Sequence, residues 1–390
     1  MTGRVSTDLV QSVQRACRIL QAFRQDGEVL RLGELATRTQ LHKATASRLA
    51  RTLEGEGLLE RVGNEQYRSR VRVPTRKRNR IGFATRGNDT SFSRAVSDSV
   101  HRAAEEAGAD LVVMNSHRSP RTALRNAEAL VREHVDLVIE FQSHERVAPL
   151  IASRFLEAKI PVIAIEIPHP GATFFGGNNY QAGVMGGRGM ARWIRKNWKE
   201  LPESILLIEE DAAGALVKLR VSGMLAGLRE LLPGSERIPT VEIDGRGSLE
   251  KSLENVRRHL RHVPVRRTII LAGNDPMALG TIRAFEECGR GQVCVAMGQN
   301  ATLEARAEIR RLGSRLAGSV AYFPERYGDE IFRLAGNILA NQPVPPAVFT
   351  RHELITRDNV DAIYPLDEKL PEGLAGPLLA GATTSSRMVR

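Results

Sequence analysis

The sequence has few cysteines and no long hydrophobic segment. No run of about 18 apolar residues occurs, so no membrane-spanning helix and no membrane partner are expected. The first residues lack the apolar stretch of a secretory signal, and we therefore expect a cytoplasmic protein. Cys17, Cys288 and Cys294 are odd in number and form no CxxC pair, which argues against a disulfide framework or a cysteine zinc site. They are predicted to be buried free thiols.

Motifs of the common enzyme classes are also missing. The sequence contains no HExxH, Walker or GxSxG motif, and no GxGxxG follows a predicted strand. The glycines of GGRG at 186–189 fall inside a predicted helix, so they do not form a phosphate loop. The chain is therefore predicted not to be an enzyme, and no cofactor or metal is expected.

Positive charge is concentrated at the N-terminal end. Residues 1–80 contain 17 Lys and Arg against 8 Asp and Glu, whereas the remaining 310 residues contain 39 against 37. A small basic module is thus joined to a nearly neutral body. Binding to a phosphate backbone favours this arrangement, because neutralised phosphates release condensed counterions. The alternative is a basic tail that only raises solubility.

The basic module has the pattern of three helices and a hairpin. Apolar residues at helical spacing predict helices over 11–24, 32–39 and 43–56, and two short strands flank a tight turn at 58–62 and 66–69. This order predicts a winged helix-turn-helix domain over 1–70, whose third helix enters the major groove of DNA. A winged helix that binds protein instead is the alternative. The predicted DNA contacts are cationic or hydroxyl side chains of the third helix and the wing: Lys43, Thr45, Ser47, Arg48, Arg51, Arg61 and Arg68.

This module resembles the DNA-binding domain of IclR-type regulators. The resemblance covers about residues 10–70 and is carried by QSVQRACRILQAF, by LGELA and by GLLER. It implies a dimer that binds a pseudo-palindromic operator, with a tetramer as the larger alternative. Gln40 stands where that family usually has glycine in the turn. The effector domain usual in that family does not follow.

Two polar segments flank the body of the chain. Residues 71–79 form a basic linker in which Pro74 prevents a helix; they either stay solvated or become ordered on DNA. Residues 367–390 are rich in Gly, Ala and Thr, and we predict a flexible tail.

The body, 80–366, alternates strands and helices. Such alternation predicts an α/β fold with two doubly wound parallel lobes, and ligands bind beyond the carboxyl ends of the strands in such sheets. We predict a first lobe over about 80–178 and 323–352, and a second over about 179–322 and 353–366. The chain would cross between them near 177–179, 322–324 and 352–354, which makes a hinge.

The body resembles type I periplasmic binding proteins, a fold that also serves as the sensor of LacI-family regulators. The resemblance spans about 80–365, is closest to ribose-type members, and is carried by segments such as GGNNYQAG and LAGNDPMALG. It implies a ligand-binding set that combines stacking aromatics with amide, carboxylate and guanidinium groups. Those residues are Phe92, Glu166, Asn179, Arg220, Asn274, Gln299 and Tyr322.

The sequence departs from the ribose-type pattern in several places. Ile167 replaces an arginine, Gly245 replaces a second stacking aromatic, and Gln299 replaces an aspartate. Ser143 and His144 are unusual in their loop. The ligand is therefore predicted to be a sugar or polyol that need not be ribose, with another small polar metabolite as the alternative.

Each site residue also has a structural interpretation. Phe92 and Tyr322 could simply pack, and Glu166 could be a surface or hinge acid. Arg220 could pair with Glu209 or Asp211. Asn179 and Asn274 could cap helices. The sequence leaves these alternatives open.

The domain order predicts a ligand-responsive DNA-binding transcription regulator. In similar proteins, repression relieved by the ligand is the common arrangement. One alternative is a constitutive DNA-binding regulator with a non-sugar ligand or none. A transport receptor is the other, but the basic module and the missing signal argue against it.

Overall fold

The computed structural model describes residues 10–23, 27–71 and 79–365. The chain divides into two compact units between residues 79 and 80. The predicted tail, 367–390, and residues 72–78 of the predicted linker lie outside the described residues.

The N-terminal unit is a three-helix domain with a small antiparallel sheet. The sheet has the order β1-β3-β2, and its first strand, which precedes α2, was not predicted. Ile19, Leu35, Ala46 and Ala50 are fully buried where the helices meet. The elements are α1 (Gln11–Gln21), β1 (Val29–Arg31), α2 (Leu32–Thr39), α3 (Lys43–Gly55), β2 (Leu59–Gly63) and β3 (Gln66–Ser69).

Gln40 makes the turn between α2 and α3. Its backbone is left-handed, with φ 55° and ψ 33°, and its N–H donates to the carbonyl oxygens of Ala36 and Thr37. Glycine adopts this conformation at least cost, which explains why the similar family places glycine there. The glutamine keeps the turn, so the exchange does not remove the helix-turn-helix.

The body consists of two lobes, each built on a six-stranded sheet. The first sheet is entirely parallel and has the order β14-β8-β7-β6-β4-β5. Its first elements are β4 (Arg80–Thr85), α4 (Ser91–Ala107), β5 (Asp110–Asn115), α5 (Pro120–Arg132), β6 (Leu137–Glu140), α6 (Ala148–Glu157), β7 (Val162–Ile165) and β8 (Thr173–Gly177).

The second sheet has the order β10-β9-β11-β12-β13-β15, and only β15 is antiparallel. Its elements begin with α7 (Asn179–Asn197), β9 (Ser204–Glu209), α8 (Ala215–Leu231), β10 (Thr240–Asp244), α9 (Leu249–Leu260), β11 (Thr268–Ala272), α10 (Asp275–Glu287), β12 (Cys294–Asn300), α11 (Leu303–Arg310) and β13 (Leu316–Ala321). The chain then forms α12 (Tyr327–Leu339) and β14 (Ala347–Thr350) before β15 (Glu353–Ile355) and α13 (Val360–Ile363). The predicted fold class is confirmed.

Three chain segments join the two sheets, and they contact one another. They follow β8, β13 and β14. The backbone N–H of Asn178 donates to Nε2 of His352 (3.0 Å), and the ring of His352 lies 4.5 Å from the ring of Tyr322. A Cβ atom on Gly177 would come within 2.2 Å of the Tyr322 ring. We call Gly177, Asn178, Tyr322 and His352 the crossing cluster.

Helices α7 and α8 approach each other so closely that only glycine fits between them. A Cβ atom on Gly187 would lie 1.9 Å from the carbonyl oxygen of Met224, and one on Gly227 would lie 2.2 Å from that of Val184. The GGRG segment is therefore part of a helix contact, as its predicted position inside a helix indicated.

Two further predictions concern exposure. Cys294 is buried, but Cys288 is only half-buried and Cys17 is exposed on α1, so the expectation of three buried thiols was wrong. Within 10–23, 27–71 and 79–365, the helices are either too short or too polar to span a lipid bilayer.

Candidate functional site

A polar cavity lies between the two lobes, at the carboxyl ends of the strands. The loops that follow β4, β6 and β7 line it from the first lobe, and those that follow β9, β10, β11 and β12 line it from the second. Its charged and polar lining residues are Arg86, Thr90, Gln142, Ser143, Glu166, Glu210, Arg220, Asn274, Asn300 and Thr302.

Arg220 is the centre of a buried hydrogen-bond network. Its Nη2 donates to Oε2 of Glu166 (2.6 Å), and its Nε donates to Oδ1 of Asn179 (2.6 Å). The other carboxylate oxygen of Glu166 accepts from the hydroxyl of Tyr327 (2.6 Å). Burial, followed by the nearby charge of Glu166, raises the pKa of Tyr327 well above its usual value, so this hydroxyl stays protonated. The ion pair joins the two lobes across the cleft.

Four of the seven predicted ligand residues line the cavity. They are Phe92, Glu166, Arg220 and Asn274. The ring of Phe92 packs edge-on against Tyr327 at 6.1 Å, and so it also serves as packing.

The structure places the other three behind the cavity wall. Asn179 holds Arg220, and the hydroxyl of Tyr322 donates to Oε1 of Gln299 (3.1 Å). The Tyr322 ring lies 4.6 Å from the Arg220 guanidinium carbon. Gln299 and Tyr322 bond to protein groups, and Asn179 accepts from Arg220 while its buried Nδ2 has no partner within the described residues. None of the three lines the cavity.

Among the described side chains, two of the alternative interpretations are wrong: Arg220 does not pair with Glu209 or Asp211, and Asn179 does not cap a helix. Lys218, not Arg220, pairs with Glu209 (3.2 Å) and Asp211 (2.6 Å). The residue that caps α7 is Asn178, and Asn179 is the first residue of the helix.

Asn274 does cap a helix. Its Oδ1 accepts from the N–H of Met277 (2.9 Å) at the start of α10, while the residue also lines the cavity. At Gly245, a Cβ atom would lie 2.4 Å from Oγ of Ser252, so a stacking aromatic has no room there.

Polar contacts beyond the Arg220 network also join the rims of the cleft. Arg118 of the first lobe donates to Glu210 of the second (3.0 Å) and also pairs with Asp89 (3.3 Å). At another point Ser91 donates to Glu304 (2.6 Å). These contacts hold the lobes together around the cavity.

Several lining residues were not among the predicted ligand contacts. Arg86, Gln142, Ser143 and Asn300 are in or beside the loops that follow β4, β6 and β12. The sequence could have indicated them by their position directly after predicted strands, where ligands bind in doubly wound sheets. Of these four, only Ser143 was singled out from the sequence, as an unusual residue in its loop and not as a ligand contact.

The N-terminal unit carries a separate candidate site for DNA. Arg48 and Arg51 on α3 and Arg61 on β2 are exposed, and no ion pair holds them within the described ranges. Thr45 and Ser47 are half-buried on α3.

Two predicted contacts are already engaged. Lys43 pairs with Glu65 (3.1 Å) and Arg68 pairs with Glu60 (2.9 Å). The hydrogen bond from Arg68 lowers the pKa of Glu60. For these two residues, a phosphate would have to displace the carboxylate of an exposed ion pair, which costs up to about 1 kcal/mol.

Two protein families match the chain. The periplasmic binding protein domain matches residues 81–343, and the IclR helix-turn-helix domain matches residues 12–63. Both resemblances are thereby confirmed. Neither family is an enzyme family, as the sequence predicted. No three or more His, Cys, Asp or Glu side chains in the described part of the chain are grouped so as to hold a metal.

Among the proteins similar to the body are a ribose import binding protein and solute-binding proteins solved with a bound sugar or polyol. The chain is 24% identical to the ribose import binding protein RbsB of Salmonella typhimurium over 283 residues, which is 72% of this chain and 86% of that protein. A solute-binding protein from Actinobacillus succinogenes with bound D-allose is 16% identical, with a TM-score of 0.64 over 73% of this chain and 99% of that one. The Caulobacter myo-inositol binding protein is 21% identical, with a TM-score of 0.63 over 74% and 97%. At these identities the structural likeness shows the fold.

Proposed function

Because the chain belongs to the periplasmic binding protein domain family and also carries an IclR helix-turn-helix domain, we propose that it is a transcription regulator. In this proposal a sugar or polyol in the body controls the affinity of the N-terminal unit for DNA. The observation that carries the proposal is the presence, in one chain, of a polar cavity between two lobes and of an exposed cationic helix, α3. The role in turn places the protein in the cytoplasm, with the DNA.

The lining of the cavity supports a polyhydroxyl ligand. Phe92 offers an apolar ring, while Glu166, Arg220 and Asn274 offer polar groups on the two sides of the cleft. Sugar sites combine such a ring with groups that accept from or donate to hydroxyls. In this proposal Asn179, Gln299 and Tyr322 act by holding the lining residues in place.

The regulatory step is a change in the angle between the lobes. A ligand that contacts both walls binds the closed arrangement more tightly, and it therefore shifts the protein toward that arrangement. In a homodimer, such a shift changes the spacing of two reading helices, and half-sites on DNA are separated by about 34 Å per helical turn. We propose that the apo form represses and that the ligand relieves repression.

The DNA part of the proposal predicts a specific set of contacts. Arg48 and Arg51 reach base edges or phosphates from α3, with Thr45 and Ser47 as hydroxyl donors beside them. Arg61 contacts the phosphate backbone from the wing. Lys43 and Arg68 contribute less, because each already pairs with a glutamate.

The DNA test begins with selection of a binding sequence from a random duplex library, using the purified full chain. Arg48→Ala should then weaken binding to the selected duplex by about 1–3 kcal/mol, roughly 5- to 160-fold, and relax base preference at one position. Arg258→Ala in the body is the matched control, because Arg258 is an exposed arginine of α9. Binding should also fall steeply with salt. An Arg48→Ala variant with unchanged affinity and preference would refute α3 as the reading helix.

The ligand test measures thermal unfolding of the full chain with a panel of pentoses, hexoses, inositols, nucleosides, sugar acids and sugar phosphates. A compound that raises the melting temperature should also change the affinity for the selected duplex. If a compound stabilises the protein but leaves DNA affinity unchanged, the proposed coupling is refuted. If none stabilises it while DNA binding is intact, the protein is the constitutive regulator.

A further inference from the structure

Four buried hydrogen-bonding groups on the cavity lining have no partner within the described residues. They are Nε of Arg86, Nε2 of Gln142, Oγ of Ser143 and Nδ2 of Asn300. Gln142, Ser143 and Asn300 are only 2%, 3% and 6% exposed, so these groups are nearly closed off from bulk solvent. Buried polar groups in native proteins almost always have a partner, and these four face one cavity from both lobes.

The orientation of the Gln142 amide is fixed by a backbone contact. Its Oε1 accepts from the N–H of His144. The amide nitrogen is therefore the free end, and it is a donor only. Arg86 likewise can only donate, and its guanidinium carbon lies 5.4 Å from the centre of the Phe141 ring.

Most acceptors of the cavity, by contrast, already have a partner. Both carboxylate oxygens of Glu166 accept from protein donors, and Glu210 pairs with an arginine. The side-chain oxygens of Asn274 and Thr302 accept from the backbone at the starts of α10 and α11. The protein thus offers the ligand free donors and few free acceptors.

The charges around the cavity also favour a ligand that accepts hydrogen bonds. Arg220 is neutralised by Glu166 at 2.6 Å, whereas no carboxylate within the described ranges forms an ion pair with Arg86. Burial, followed by the charge of Arg118, lowers the pKa of Arg86, and the charges of Glu210 and Asp89 offset this only in part, so a bound anion would raise it. Helices α4, α8, α10 and α11 begin at or beside lining residues, so the positive ends of their dipoles add to this field.

We infer that the ligand is a polyol or sugar that carries one anionic group, whose oxygens accept hydrogen bonds from Arg86, Gln142, Ser143 and Asn300. This inference rests on the proposed function, because it names the ligand class of the same cavity. A carboxylate and a phosphate share the chemistry that these donors recognise, since both present several acceptor oxygens on one charge. Arg86 is then the residue that selects the charged compound over its neutral parent.

The test is isothermal titration of the purified full chain with matched sets of probes. Two sets hold a neutral parent, its carboxylate and its phosphate: ribose, ribonate and ribose 5-phosphate; and glucose, gluconate and glucose 6-phosphate. The third set holds myo-inositol and its 1-phosphate. We expect an anionic probe to bind about 10- to 100-fold more tightly than its parent, as loss of a charge-assisted hydrogen bond implies. The carboxylate and phosphate arms show which anion the site takes.

Variants of Arg86 connect the preference to the residue. Arg86→Gln should remove the preference for the anion but leave weak binding of the neutral parent. Arg86→Lys keeps the charge and should keep part of the preference, which covers the case that the glutamine variant does not fold. Arg258→Gln is the control and should bind like the unmodified chain.

The outcomes separate the inference from the proposed function. If a neutral parent binds as tightly as its anionic forms, the ligand is a sugar or polyol but the anionic class is refuted. The same holds if Arg86→Gln folds, by its melting curve, and keeps the full preference. If no probe in any set binds, both the inference and the ligand part of the proposed function are refuted.

Discussion

The buried pair between Arg220 and Glu166 offers a sharp test of how the two lobes are held together. Both side chains are 7% exposed, and their closest atoms are 2.6 Å apart. Replacement of Arg220 by methionine removes the charge but keeps an unbranched apolar chain. Glu166 would then be a buried carboxylate without its cationic partner, which costs about 3–5 kcal/mol. A domain is typically stable by only about 5–15 kcal/mol, so the loss should be large.

The double variant Glu166→Gln/Arg220→Met supplies the matched comparison. It removes both charges, and so it should lose clearly less stability than the sum of the two single variants. Arg220→Met should also abolish any ligand response while DNA binding by the N-terminal unit remains. This pattern is expected if the ion pair both holds the two lobes together and lines the ligand cavity.

The measurement is urea unfolding of the full chain, followed by tryptophan fluorescence. Trp193 and Trp198 are the only tryptophans of the sequence, and their rings pack edge to face at 5.5 Å at the end of α7. The signal therefore reports the second lobe. A loss below about 1 kcal/mol for Arg220→Met, or strict additivity in the double variant, would refute the reasoning.

Three further predictions concern backbone conformation, pH and helix packing. Gln40→Gly should stabilise the N-terminal unit by roughly 1 kcal/mol, because glycine adopts the left-handed conformation of this turn without steric strain. The measurement is amide exchange over 27–71, which should become slower; faster exchange would contradict the prediction. Burial raises the pKa of Glu140 in the folded protein well above 4.5. Above pH 4.5 the unfolded chain therefore loses a proton that the folded protein keeps, and the free energy of unfolding falls as the pH rises. Glu140→Gln should remove this fall, so that its melting temperature exceeds that of the unmodified chain more at pH 8 than at pH 5; a constant difference would count against it. Gly187→Ala should lower the free energy of unfolding in urea by about 3 kcal/mol, because the new Cβ meets the backbone of α8. Gly336→Ala on α12, where a Cβ has nothing within 4 Å, should raise it by about 1 kcal/mol. Equal effects of the two variants would refute the close contact.

The sequence predicted most of the elements because their apolar periodicity is local. Strands such as β6, with Leu137 and Ile139 fully buried, are visible as apolar runs. Strand β1 was missed because it is only three residues long and is formed by pairing with β3, which lies more than 30 residues later. The elements that return the chain between the lobes, such as β14 and β15, were missed for a similar reason.

The candidate site was less predictable because it depends on side-chain direction. The family motifs indicated Asn179, Gln299 and Tyr322 as residues near the ligand, but they could not show that Asn179 accepts from Arg220 or that Gln299 and Tyr322 bond to protein groups. The Gln142 amide nitrogen is free because its oxygen accepts from the backbone of His144, and no sequence pattern predicts that contact. The neighbourhood of a site follows from the fold, whereas its unsatisfied groups follow only from the complete packing.

The crossing cluster has a mechanical consequence for the way in which the lobes can move. Asn178 and Tyr322 both contact His352, so the three connections are packed together as one axle and should not move independently. Sliding or separation would have to stretch all three at once, and rotation about the axle is the remaining soft motion. Rims far from the axle travel furthest, so a small bend at these residues becomes a large displacement at the opposite side of the body.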